Sequence, residues 1–143
     1  MKTLLVDLET TAHKGFYWGE NWETSIIENI EYGKILSYSA HWLGKRGYVT
    51  RGWVDTKLYK KGDQNELYIV KELWELLNEA DIVVGHNARS FDLKKCNTKF
   101  VLYGLGPPSP YKIIDTKNEA KKYLSLPSYR LNDIADYFGL GHK

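Results

Sequence analysis

Residues 80–92 read Ala80-Asp81-Ile82-Val83-Val84-Gly85-His86-Asn87-Ala88-Arg89-Ser90-Phe91-Asp92, and this stretch decides the fold class. The short β-branched run from Ile82 to Val84 is closed by Gly85 and a polar turn, so Asp81 to Gly85 is predicted to be a buried strand. Beyond the turn, Leu93, Cys96 and Phe100 recur at helical spacing. Ser90 to Tyr103 is therefore predicted to be a helix with those side chains inward, closed by Gly104 and broken by Gly106-Pro107-Pro108. A strand that hands over directly to a helix is half of a crossover unit. Its turn lies at the carboxyl edge of parallel strands, where such folds present their sites. Asp92 suits the positive end of that helix. A plainer alternative makes Ser90 the helix cap and Asp92 a first-turn acid, but it leaves His86 and Asn87 unexplained.

Outward from this stretch, Lys2 to Leu8 reads as a buried strand ending in the polar Thr10-Thr11. Ile35 to Leu43 and Tyr48 to Asp55 are aromatic and β-branched runs joined by Gly44-Lys45-Arg46-Gly47, a hairpin signal. Leu67, Val70, Leu73, Trp74 and Leu77 place an amphipathic helix over Asn65–Glu79. Tyr111 to Ile114 is a last short strand, followed by helices near Lys117–Tyr123 and Leu131–Phe138. Trp42, Trp53 and Trp74 fall on regular elements and are expected in the core. Ala12 to Tyr32, with Gly15, Gly19 and the aromatics Phe16, Tyr17, Trp18 and Trp22, reads as a long irregular loop. The order predicts one α/β domain over residues 1–143, a mixed five-stranded sheet flanked by helices.

The chain has 143 residues, 43% hydrophobic and 27% charged, a globular balance that excludes a disordered tail. A single cysteine, Cys96, cannot close an internal disulfide, and no Cys/His spacing matches a zinc site. No apolar run approaches the ~18 residues of a membrane helix. Asp7 and Glu9 interrupt the apolar start, so it is not a signal peptide. A soluble, cytoplasmic protein without membrane contact is expected. Charge is uneven: residues 1–88 hold ten Lys/Arg against thirteen Asp/Glu, and residues 89–143 hold ten against five. A basic second half suits a polyanion, although solvated helix faces produce the same run.

Asp7-Leu8-Glu9 closes the first strand. Alternation puts both carboxylates on one side and Leu8 in the core. Paired acids repel, and a divalent cation relieves them; hard oxygen ligands select Mg²⁺ or Mn²⁺. An exposed strand end carrying two acids for solubility is the alternative.

Together, Leu5-Val6-Asp7-Leu8-Glu9-Thr10-Thr11 and Asn87-Ala88-Arg89-Ser90-Phe91-Asp92 resemble the first two motifs of the DEDD 3′–5′ exonucleases. That superfamily has a ribonuclease H-like fold and includes the proofreading domains of family B and phage-type DNA polymerases. Pro110-Tyr111-Lys112-Ile113-Ile114-Asp115-Thr116 is similar to the strand after the second motif. Ser128-Tyr129-Arg130-Leu131-Asn132-Asp133-Ile134-Ala135 and Phe138-Gly139-Leu140-Gly141 look like the helix and turn that follow in phage-type members. The resemblance implies metal-dependent 3′–5′ hydrolysis at a single-stranded nucleic-acid end, with DNA favoured over RNA. Asp7 would bridge two Mg²⁺ or Mn²⁺ ions, Glu9 would hold one and meet the 3′-terminal nucleotide, and Asp92 would fix the other. Thr10, Asn87 and Phe91 would shape the substrate pocket.

The family also requires a third motif with a fourth carboxylate, and none is evident before Lys143. Tyr129 and Asp133 have the required spacing and share a helix face, but their surroundings resemble the helix that precedes that motif; Asp136 is a weaker choice. Asp115 is expected to support a neighbouring loop. The resemblance thus leaves open a truncated domain, half of a split enzyme, or an impaired nucleic-acid-binding or assembly module. In the split case a second polypeptide or a second copy would cover the uncovered apolar strip. An endonuclease using the same carboxylates is a further alternative. Substrate contacts are expected from Phe16, Tyr17, Trp18 and Trp22, and from Arg89, Lys94, Lys95, Lys112 and Arg130.

Overall fold

Strand β1, Thr3–Thr10, alternates strictly: Leu4, Val6 and Leu8 are buried, while the residues between them are not. It is the middle of a five-stranded sheet in a computed structural model that describes residues 1–19, 25–55 and 65–141. The remaining strands are β2 (Lys14–Trp18), β3 (Ser25–Glu31), β4 (Ile35–Trp42), β5 (Val49–Gly52), β6 (Ile82–Gly85) and β7 (Lys112–Asp115). Helices α1 (Leu67–Glu79), α2 (Asp92–Leu102), α3 (Thr116–Tyr123) and α4 (Leu131–Tyr137) complete the described elements. The sheet order is β5-β4-β1-β6-β7. β1 runs antiparallel to β4, with Leu8 opposite Tyr38, and parallel to β6, with Leu4 opposite Val83. The mixed five-stranded α/β architecture read from the sequence is the one found.

One face of the sheet carries the core. In α1, Ile69, Val70, Leu73 and Leu77 turn inward, and in α2 Leu93, Cys96 and Phe100 do so, as helical spacing requires. Each fully buried aliphatic side chain contributes about 1.5–3 kcal/mol. Gly104, at φ +68°, ends α2: its N–H meets the Val101 carbonyl at 3.1 Å and Leu105 N–H meets Phe100 at 2.8 Å. Burial also pushes the Cys96 thiol far above its ordinary range, with the nearby Asp92 adding to it, so it is not a nucleophile.

A buried ion pair locks the helices to the sheet. Glu66 and Lys99 meet at 2.6 Å and both are nearly inaccessible. Glu66 also accepts the Ile35 N–H at 2.5 Å and the Tyr103 hydroxyl at 3.1 Å. Burial and the adjacent Glu66 push that hydroxyl up to about 12. Trp53 is buried, its indole N–H donating to the Ile35 carbonyl at 2.7 Å, and Trp42 and Trp74 pack against the core.

Two sequence expectations need correction. The stretch read as an irregular loop from Ala12 to Tyr32 forms a separate two-stranded sheet, β2 with β3, with Phe16 opposite Glu28 and Tyr17 opposite Ile26. Aromatic and β-branched residues give it strand propensity. Because Phe16, Trp18, Ile26, Ile27 and Ile30 all stay exposed, no buried face imposes the alternation that marks a strand in sequence. Trp22 lies outside the described residues. The strand expected over Tyr48–Asp55 is shorter, since Trp53–Asp55 is a 3-10 turn fixed by Asp55 accepting the Gly52 N–H at 2.8 Å.

Candidate nuclease site

The two acidic stretches meet across 84 residues of chain. Asp92 opens α2 and is 4% exposed; its Oδ1 accepts the backbone N–H of Leu8 at 3.0 Å. The second stretch is therefore moored to the residue between Asp7 and Glu9. Ser90 makes no cap; the helix starts from Phe91 without a side-chain cap, because Asp92 turns to the strand instead. Asp7 points to the opposite face from the core, into an open cavity of about 370 Å³ that it shares with Leu5, Ser39, His41, His86 and Leu131. Glu9 is exposed, next to an irregularity where the β1–β4 register shifts at Thr10.

The turn between β6 and α2 is held from beneath by Asp115. Its carboxylate accepts the N–H groups of Asn87 and Arg89, both at 3.0 Å, and those of Lys117 and Asn118 at the start of α3. Burial would raise its pKa, but these four donors outweigh burial and hold it below the ordinary value of 3.8. Asn87 takes φ +66°, a left-handed conformation that asparagine tolerates better than most residues. Its carbonyl then receives Ser90 N–H and Phe91 N–H at 3.1 and 3.0 Å. Gly85 lets the turn close on the sheet: a Cβ there would lie 2.7 Å from that of Ala88 and 2.9 Å from the Val6 carbonyl.

A strand pair with this strand–turn–helix at its carboxyl edge has a counterpart among known proteins. The family model of the RNase H superfamily matches residues 41–143. The chain belongs to the RNase H superfamily. Its fold is also similar to that of a family B DNA polymerase from the hyperthermophilic archaeon Pyrobaculum calidifontis, with a TM-score of 0.67 at 12% identity. That alignment covers 99% of this chain and 18% of the polymerase, so the chain spans less than a fifth of that protein's length. No curated protein matches the sequence.

Within this RNase H-like frame, His86 ties the turn to the last helical segment. Its Nε2 donates to the Tyr129 carbonyl at 2.9 Å, and its Nδ1 lies 3.0 Å from the Thr116 hydroxyl. Phe91 is half-exposed, with the Lys95 ammonium 5.7 Å from its ring centre. Thr10 is half-buried, and Arg89 and Lys94 are exposed. Tyr129 and Asp133 are engaged locally. The Tyr129 hydroxyl donates to the Leu124 carbonyl at 2.7 Å, and Asp133 accepts from the Ser128 hydroxyl beside the start of α4. Leu131 lines the Asp7 cavity; Asp133 does not.

The acids have the hard-oxygen chemistry that Mg²⁺ and Mn²⁺ require. Among the described residues, no group of three or more His, Cys, Asp or Glu side chains is arranged to hold a metal ion by itself. Asp7 lines the open cavity, Glu9 is exposed, and Asp92 is buried with its Oδ1 on the backbone N–H of Leu8. Such a set fits a cation held by one or two carboxylates and completed by substrate phosphate oxygens, which is how Mg²⁺ is commonly bound. Sequence reasoning missed the roles of His86, Glu66 and Lys99, because their partners are distant in the chain. Among the described residues no helix is long and apolar enough to cross a membrane.

Proposed function

We propose that this chain is a metal-dependent 3′–5′ exonuclease acting on single-stranded nucleic-acid ends, with DNA preferred to RNA. The observation that carries the reading is the Asp92–Leu8 contact at 3.0 Å, which joins the two acidic stretches at the carboxyl edge of the sheet. Asp7, Glu9 and Asp92 would hold Mg²⁺ or Mn²⁺, which when bound supplies the positive charge for the attacking and leaving oxygens of an in-line displacement. Asp115 and Asn87 keep the turn in register beneath that site, and His86 holds the 129 segment against it. Phe91, Arg89 and Lys94 lie on the exposed side, where a strand end would be gripped.

A second reading, a nucleic-acid-binding or assembly module without cleavage, is favoured by the lack of a three-ligand metal group among the described residues and by the local engagement of Tyr129 and Asp133. In that reading a second polypeptide or a second copy supplies what is missing over the open face. End-labelled single-stranded DNA and RNA incubated with Mg²⁺ or Mn²⁺ separate the cases. A stepwise ladder lost in Asp7→Asn supports the exonuclease; binding without cleavage supports the module; internal cuts point to an endonuclease.

A further inference from the structure

A second cavity, of about 560 Å³, opens beside the carboxyl end of β1, lined by His13, Tyr32, Gly33, Lys95 and Thr98. His13 sits four residues after Glu9, and Lys95 is one helical turn after Asp92, roughly 5 Å along the axis. The cavity therefore flanks the acids without containing them.

Its polar chemistry is unbalanced. The Gly33 N–H donates to His13 Nδ1 at 3.0 Å, so that nitrogen carries its lone pair and the ring proton resides on Nε2. Nε2 in turn lies 3.5 Å from the Lys95 ammonium. An N–H and an ammonium, both donors, thus face one another at the exposed mouth of the cavity. Among the described residues Lys95 has no carboxylate within ion-pair distance, whereas Lys99 in the same wall is already neutralised by Glu66. Glycine at position 33 permits the close approach of this segment: a Cβ there would come within 2.7 Å of the Thr11 carbonyl. One anionic oxygen would accept from both groups at once. An aromatic ring adjoins each group: the Lys95 ammonium lies 5.7 Å from the Phe91 ring centre, and Tyr32, exposed, meets His13 edge-on with ring centres 6.2 Å apart.

We propose that His13 and Lys95 form a phosphate subsite that takes a backbone phosphodiester of single-stranded nucleic acid, with Tyr32 and Phe91 as flanking stacking surfaces. The choice of nucleic acid rests on the exonuclease reading of the neighbouring acids; the oxyanion site itself does not. Two donors supply the charge-assisted contacts to one phosphate, and the rings accept bases of any identity. Lys95 is thus a positioning residue for the strand.

The test is NMR of the His13 imidazole in EDTA, titrated separately with an octathymidylate and with inorganic phosphate. The expected result is a shift of the His13 signals by the oligonucleotide at a concentration at least about tenfold below that needed for phosphate. Lys95→Gln should weaken octathymidylate binding roughly tenfold and lower the slope of log affinity against log salt by about 0.7, the value for one single-strand phosphate contact. Lys95→Arg should restore most of both, and Lys71→Gln, an equal charge loss on α1, should change neither. His13→Gln, which retains an acceptor for Gly33, serves as a second variant. A His13 ring silent to both ligands, or a Lys95→Gln protein with wild-type affinity and slope, overturns the subsite. Equal response to phosphate and oligonucleotide overturns the nucleic-acid ligand. Metal-dependent cleavage by wild type with a silent His13 would sink the subsite alone; His13 and Lys95 responses without cleavage in any metal would sink the exonuclease reading alone.

Discussion

Neighbouring residues of β1 lead different lives. Leu4, Val6 and Leu8 face α1 and α2 and are almost wholly buried, while Leu5, Asp7 and Glu9 face a cavity or solvent. A period of two residues lets one strand serve both ends: one face fixes the fold through apolar burial, the other is free to carry charge. The two sides meet where the Leu8 N–H donates to the Asp92 carboxylate. Core packing thus dictates where the second acidic stretch arrives.

The sharpest way to break this division is to change adjacent residues. Leu8→Ala should cost about 2–5 kcal/mol in urea unfolding through lost burial and a cavity. Asp7→Asn should stay within about 1 kcal/mol of wild type yet reduce cleavage by more than about 100-fold, beyond the usual cost of losing an outer-shell partner. Wild-type cleavage by Asp7→Asn would remove the functional meaning of the open face. Next in size, Glu66→Gln leaves Lys99 buried without its counter-charge and should destabilise by about 3–5 kcal/mol, read by denaturant midpoint. A smaller loss would place water beside Lys99.

Asp115 tests the turn that joins the two faces. Its folded-state pKa is depressed, so its stabilisation is complete at neutral pH and is lost as pH falls through the folded value. Asp115→Asn should be about 1–3 kcal/mol less stable at pH 7, and its stability curve should converge on the wild-type curve in acid. Parallel curves would show that the carboxylate charge is immaterial. The smallest effect is at Asn87. Asn87→Ala should cost about 1 kcal/mol for its left-handed conformation, whereas Asn87→Gly should fold as well as wild type. If Asn87→Gly nonetheless weakens oligonucleotide binding, the side chain itself meets substrate.

How much of this was legible depended on whether burial left a periodic mark. The amphipathic α1 and the inward Leu93, Cys96 and Phe100 of α2 stand out because a helix with one buried face repeats every three to four residues. β2 and β3 leave no such mark, because their aromatics and isoleucines stay exposed and follow no alternation. Asp7, Glu9 and Asp92 were recognisable as acids at the ends of elements. That Asp92 reaches the strand carrying the other two was hidden, since the direction of Asp92 depends on an amide 84 residues away. The local bonds of Tyr129 and Asp133 were equally invisible: spacing along a helix says which residues share a face, but not what that face meets.

The order of residues by itself determined the α/β class, the central strand and its two faces, and the placement of acidic side chains where a strand ends and a helix begins. These follow from hydrophobic period and turn chemistry, which are local. Only the tertiary structure decided that Asp92 is moored to the Leu8 backbone amide, that Glu66 and Lys99 neutralise each other in the core, and that His13 and Lys95 lie side by side. Each of those pairings joins groups far apart in the chain, and their energies depend on distance and burial, which packing alone sets.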